Sequence, residues 1–197
     1  MTANNDLAQT AAALIYARQT ILPKRLEAPG PDAAQLEQIL QAASAAPDHG
    51  QILPWRFVLV PREARARLAE VFAAALLQRD AGATDAELGR AREKAYRAPL
   101  LMLLLVDAQR GDPEIDLFER IVSAGCAVQN MLLMATAQGF GSALTSGKAL
   151  KSSALRKLFE LTEGEQALCF VNIGSAKARK DQRQRPATCE YVRTLDP

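Results

Sequence analysis

Hydrophobic residues occur along this chain in two patterns, one with helical spacing and one in short consecutive runs. Apolar residues spaced three or four apart form one face of an amphipathic helix. The helical pattern predicts helices over Asp6–Ala17, from Asp32 to before Pro47, from Pro61 through Leu76, from Asp112-Pro113 to about Ala137, and over Ser153–Leu161. The polar stretch from Asp80 to Ala98 is also expected to be helical in part and to cover a pocket.

The consecutive runs predict strands, because a strand covered on both faces needs apolar residues at every position. The runs lie at Trp55–Val60, Leu100–Val106, Phe140–Thr145 and Leu168–Ile173. A late extended piece is also expected at Tyr191-Val192. Helices and strands alternate along the chain, which predicts a mixed sheet flanked by helices in one domain spanning residues 1–197.

Two local signals define helix ends. Asp32 with Gln35 three residues later has the spacing of a capping box, which predicts a helix start. Gly139 follows the long apolar helix and is expected to end it. Within that helix, residues 121–137 are apolar on nearly every side but include Ser123 and Gln129. A buried central helix is therefore predicted in preference to a membrane span.

Composition excludes several classes of function. The net charge is only +2 with 23% charged residues, so nucleic acid is not expected as a partner. The cysteines Cys126, Cys169 and Cys189 match no metal-binding spacing, and the first two lie in apolar runs that predict burial. The first ten residues lack a basic segment followed by an apolar one. We therefore expect no signal peptide and a cytoplasmic protein without a membrane partner.

Candidate chemistry is concentrated in three loops that are far apart in the sequence. Arg18-Gln19-Thr20 offers a guanidinium fork and a hydroxyl, the donors that suit a phosphate group. The turn Pro47-Asp48-His49 contains the only histidine of the chain. Leu144-Thr145-Ser146-Gly147 ends a predicted strand, where sheets of helix-flanked folds bind ligands.

Two other uses of these residues are excluded. A hydrolase would need Ser44, Ser142 or Ser146 as a nucleophile beside Asp48 and His49. The chain has no Gly-x-Ser-x-Gly turn, and adjacent Asp and His residues do not orient each other as triad partners do. One histidine and three scattered cysteines also do not form a zinc site.

In this order, the three loops resemble the flavin mononucleotide (FMN) site of the nitroreductase family, most closely its short, minimal-length branch. The resemblance implies an α+β fold with a central mixed or antiparallel sheet surrounded by helices. It also implies a homodimer with two FMN molecules at the interface. The phosphate is then held by Arg18 and Thr20, and the His49 loop comes from the neighbouring subunit. The implied cofactor-binding residues are Arg18, Gln19, Thr20, Ala45, Pro47, Asp48, His49, Leu144, Thr145, Ser146, Gly147, Arg183 and Arg185.

The resemblance further implies an oxidoreductase that takes electrons from NAD(P)H and reduces nitroaromatics or quinones in a ping-pong sequence. No catalytic side chain is expected, because the flavin carries the chemistry. One position departs from the family pattern: Leu22 stands where many relatives have a cation near the flavin's pyrimidine edge. Two alternatives remain open, a non-catalytic flavin-binding or storage module and another flavin reaction such as enoate reduction, dehalogenation or flavin fragmentation.

Overall fold

The computed structural model describes residues 3–178 and 184–196, which form helices around one sheet. Short 3₁₀ helices, among them His49–Gln51 and Lys148–Lys151, connect the larger elements. The helices are α1 (Ala3–Ala17), α2 (Ala33–Ala43), α3 (Arg65–Arg79), α4 (Asp85–Glu93), α5 (Leu117–Ala137) and α6 (Ser153–Leu158). The strands are β1 (Leu26–Glu27), β2 (Trp55–Leu59), β3 (Leu100–Asp107), β4 (Gly141–Thr145) and β5 (Glu165–Ala176).

Strand β5 organises the sheet, because it pairs with three of the other strands, β1, β3 and β4. Strand β2 pairs with the far side of β3 and is an edge strand. Every pair between these strands is antiparallel. A single parallel bridge joins Thr20 to Ser142 beside β4. The expected α+β class is confirmed, and the parallel character expected of a mixed sheet is limited, within the described residues, to this bridge.

Strand β3 separates two apolar cores. Met102 and Leu104 belong to the cluster that includes residues of α2 and α5. The alternating Leu101, Leu103 and Leu105 belong to the cluster with α3 and α6. Successive side chains of a strand point to opposite faces, so the uninterrupted hydrophobic run follows from helices covering both faces.

The predicted helix-end signals are present. The Asp32 carboxylate accepts from the Gln35 N–H at 2.8 Å, and the Gln35 side chain accepts from the Asp32 N–H at 3.0 Å. Gly139 follows α5 with φ +87°, the left-handed backbone that glycine adopts without steric cost. Local sequence therefore determines these two helix ends.

The long helix differs from its prediction in two respects. It begins at Leu117, not at Asp112-Pro113, because the Asp116 carboxylate accepts from the N–H groups of Phe118 and Glu119 at 2.7 and 3.0 Å. It is also buried on one face only, since Phe118 and Val122 are 76% and 64% exposed. The apolar side predicted for α1 is likewise open, with Leu7 68% exposed.

Three predictions about strands are corrected. Leu59 is 43% exposed, because β2 is an edge strand whose end is not covered on both faces. Strand β5 begins at Glu165, before the predicted start. Tyr191 and Val192 are exposed and do not form a strand; they follow the 3₁₀ helix Thr188–Glu190. Among the helices described, none is long and apolar enough to cross a membrane.

Candidate functional site

The first and third predicted loops meet at the edge of β4. The Ile21 N–H donates to the Ser142 carbonyl at 2.9 Å, which extends the sheet by one parallel bridge. The end of α1 and the end of β4 therefore lie side by side. Together with α5 they enclose a cavity of about 240 Å³. We call it the small cavity; it is lined by Arg18, Thr20, Gln129, Leu132, Ser142, Ala143 and Leu144.

Two polar side chains at the small cavity have no ion pair or hydrogen-bond partner among the described residues. Ser142 is 1% exposed, and its Oγ has no partner in the described chain. Arg18 is half-buried, and its guanidinium makes no ion pair within the described residues. A half-buried guanidinium without an ion pair at a cavity wall suits an anionic ligand.

A second cavity of about 490 Å³ lies on the other side of the β4 end. We call it the large cavity. Thr145, Ser146 and Gly147 line it, and so do Leu22 and Lys24. The segment between Asp80 and Ala98, expected to cover a pocket, contributes Ala91, Lys94 and Arg97 to its wall.

Asn172 is a functional candidate that the sequence analysis missed. It is 2% exposed, lines the large cavity, and donates from Nδ2 to the Thr145 Oγ1 at 3.1 Å and to the Ala143 carbonyl at 3.3 Å. The side chain thereby holds the end of β4 in place. The available signal was a single amide side chain within the apolar run Leu168–Ile173.

Nothing in the local backbone conformation or packing requires a glycine at position 147. Its φ is 179°, which is ordinary extended backbone, and a Cβ placed there would meet no protein atom within 4 Å. A ligand lying against this loop would give the glycine a role, because it lets the backbone approach closely.

The second predicted loop lies elsewhere. The His49 Nδ1 is 2.8 Å from the Glu119 Oε2, near the start of α5, and the Asp48 Oδ2 accepts from the Leu53 N–H at 2.7 Å. The Asp48 Oδ1 has no partner in the described chain. The small cavity adjoins Leu132, and 13 residues of helix span about 20 Å at 1.5 Å per residue. Within one chain, His49 is therefore remote from Arg18.

The remaining predicted residues are placed as follows. Gln19 is half-buried between Arg18 and Thr20, and Ala45 and Pro47 are exposed at the end of α2. Arg185 is exposed and lines neither cavity. Arg183 lies outside the described residues.

Two of the three cysteines lie partly inside the protein. Cys126 and Cys169 are half-buried, less than predicted, and burial raises the pKa of the Cys169 thiol to about 11. A thiol with so high a pKa is protonated and unreactive at neutral pH. In the part of the chain that the structure describes, no three metal-binding side chains come together.

Comparison with known proteins finds relatives that cover most of the chain. The chain is 34% identical over 173 residues to a Haemophilus influenzae protein named "Putative NAD(P)H nitroreductase", covering 88% of this chain and 90% of that protein.

Two solved structures have the same fold. The FMN-dependent nitroreductase NfnB from Mycobacterium smegmatis, in complex with NADPH, matches with TM-score 0.73, 19% identity and coverage of 96% of this chain and 100% of that one. Iodotyrosine deiodinase bound to FMN and 3-iodo-L-tyrosine matches with TM-score 0.71, 20% identity and coverage of 94% and 98%. The family model described as "Nitroreductase family" matches residues 15–175, and this chain belongs to that family.

Proposed function

We propose that this chain is an FMN-dependent NAD(P)H oxidoreductase that reduces quinones or nitroaromatics. The observation that carries the proposal is the small cavity, where Arg18 and Thr20 lie on the same wall. These donors suit the FMN phosphate. The family membership and the names of its relatives support the same cofactor and electron donor.

Each wall of the site has a task in this proposal. Arg18 and Thr20 hold the phosphate, and the Thr145-Ser146-Gly147 loop positions the flavin ring at the large cavity. Hydride uptake from NAD(P)H and electron delivery to the acceptor are chemistry that the bound flavin supplies. The protein binds, orients and excludes water. Donor and acceptor then use the large cavity in turn, which is the ping-pong sequence.

The proposal includes a homodimer, because one chain does not complete the site. The His49 loop lies at the start of α5 and the small cavity lies about 20 Å along it. Two copies packed through α5 about a two-fold axis would bring the start of one helix to the later half of the other. Such packing would also cover Phe118 and Val122 of α5 and Leu7 of α1, which are largely exposed.

FMN binding is the direct test. Arg18→Ala should weaken FMN binding at least about tenfold, because a hydrogen bond to a charged group contributes roughly 1.5–3 kcal/mol. Arg25→Ala is the matched control, because Arg25 is exposed and lines neither cavity. A colourless protein that ignores added FMN in fluorescence titration would contradict the proposal.

The dimer has its own test. Arg18→Ala and His49→Ala subunits, each defective alone, should regain one intact site when mixed into a heterodimer. Random mixing in equal amounts should restore about a quarter of the wild-type sites, because half of the dimers are mixed and each has one good site. No recovery, or a stable monomer with bound FMN in light scattering, would refute the shared site.

A storage module is the second candidate, and Leu22 is the observation that favours it. This side chain lines the large cavity where many relatives have a cation, although Lys24 lines the same cavity. Rapid bleaching of the bound flavin by NADPH would exclude storage. Bound FMN that no pyridine nucleotide reduces would favour it over the oxidoreductase.

A further inference from the structure

The walls of the large cavity carry positive charge from several separate elements. Its lining includes basic residues from the 3₁₀ helix Pro23–Arg25, from the end of α3, from the segment that follows α4 and from the 3₁₀ helix Lys148–Lys151. No acidic residue is among the described residues that line it. The basic residues are Lys24, Arg79, Lys94, Arg97 and Lys148.

These five side chains are not engaged in the folded chain. None of them forms an ion pair with a described residue. A neighbouring arginine outside the cavity behaves differently: Arg92 of α4 binds Glu70 with its Nε 2.8 Å from the Oε1. Like charges around one cavity repel each other and raise its potential, and this attracts anions.

The interior of the cavity is apolar. Phe72 and Phe170 meet edge to face with ring centroids 5.6 Å apart, and Leu76, Leu101 and Leu150 also line the cavity. A pocket with apolar walls and a few polar groups favours a ligand with an apolar body and a polar group at a defined place. The charged groups that it would meet on the described wall are all cations.

We propose that the large cavity selects organic anions: molecules with an apolar, ring-sized body and a carboxylate or phosphate that binds at Arg97, Lys94 and Arg79. This inference rests on the proposed function, because the ligand would lie against the Thr145-Ser146-Gly147 loop assigned to the flavin ring. Arg97 has the central role, since it is half-buried whereas Lys94 and Arg79 are exposed. The anion has two possible sources, a carboxylate on the acceptor and the 2′-phosphate of NADPH.

Calorimetric binding without turnover tests the inference. The probes are 4-nitrobenzoate and 4-nitrobenzamide, which differ in charge and share the ring and nitro group. The FMN-loaded protein should bind the benzoate at least about tenfold more tightly, as a charged hydrogen bond allows, and added salt should reduce the difference. Arg97→Gln should remove most of that preference and leave benzamide binding within about twofold. Lys94→Gln should reduce the preference for the benzoate in part. It should not disturb folding, because Lys94 is exposed.

Arg90→Gln is the matched control. Arg90 is exposed on α4 and does not line the cavity. The substitution removes one positive charge, as Arg97→Gln does, and should leave the binding of both probes unchanged. If Arg97→Gln instead raises the KM for NADPH and not for NADH while benzoate binding is unchanged, the anion is the phosphate of the donor.

The inference would be overturned if the two probes bound equally tightly and neither Arg97→Gln nor Lys94→Gln changed the preference for NADPH over NADH. FMN content is measured separately. A colourless protein would contradict the proposed function, and the same probe comparison made on it would still decide whether the cavity selects anions.

Discussion

Replacing Arg65 with methionine should strongly destabilise this protein, although Arg65 lies in no cavity. The side chain is 4% exposed, and its guanidinium binds backbone carbonyls instead of a carboxylate. Its Nε donates to the Val60 carbonyl at 2.7 Å, and its terminal nitrogens donate to the carbonyls of Ala95, Ala98 and Pro99 at 2.6, 3.2 and 3.1 Å. One arginine therefore joins the end of β2 to the segment between α4 and β3.

The magnitude follows from what the substitution leaves behind. Methionine keeps an unbranched apolar stem of comparable length, so the packing loss is small. Four carbonyls lose their donor, and each buried unsatisfied acceptor costs about 1–3 kcal/mol. Water can reach part of this region, because Pro99 is exposed. Burial also lowers the pKa of Arg65, so removing the charge recovers some desolvation energy. We expect a net loss of about 3–5 kcal/mol, in the range for breaking a buried charged network.

Urea unfolding measures this loss. With an m value of about 2 kcal/mol/M, the midpoint should fall by about 2 M. Arg67→Met is the control, because Arg67 is an exposed residue of α3 and its loss should cost about 0.5 kcal/mol or less. Arg65→Lys should lie between the two, since one ammonium group reaches fewer carbonyls than the guanidinium fork. An Arg65→Met protein within about 1 kcal/mol of wild type would refute the reasoning.

Three further predictions concern pH, redox chemistry and kinetics. Glu165 is almost fully buried, and its hydrogen bonds from Arg56 hold the pKa of its carboxyl below the ordinary glutamate value. The stabilisation is present above the unfolded-state pKa of Glu165 and is lost as pH falls through its lowered folded-state pKa. Glu165→Gln should therefore lower the unfolding free energy at pH 7, and the unfolding free energies of the variant and wild type should converge in acid. Equal unfolding free energies of the variant and wild type at neutral pH would contradict this. Leu22→Lys should raise the midpoint potential of bound FMN and speed its reduction by NAD(P)H, because a cation favours added negative charge; an unchanged potential would count against it. Initial rates at several concentrations of both substrates should give parallel double-reciprocal lines, whereas intersecting lines would indicate a ternary complex.

The sequence by itself determined the features that depend on neighbouring residues. The capping box of Asp32 and Gln35 and the turn at Gly139 appear where predicted, because caps and turns use contacts within a few positions. The run at Leu100–Val106 forms β3, since a strand buried on both faces needs no partner information to be recognised. The three loops carried the family resemblance, although their roles in binding stay predictions.

Tertiary structure decided what depends on residues far apart in the chain. The two-residue strand β1 exists only through its pairing with the end of β5, and the apolar helix α5 has a buried and an exposed face only because of what packs on it. The separation of the His49 loop from Arg18 by about 20 Å of helix is likewise invisible to local patterns. The five basic residues of the large cavity come from four separate segments and share no motif. Their meeting is a product of chain folding, because no short-range interaction links them.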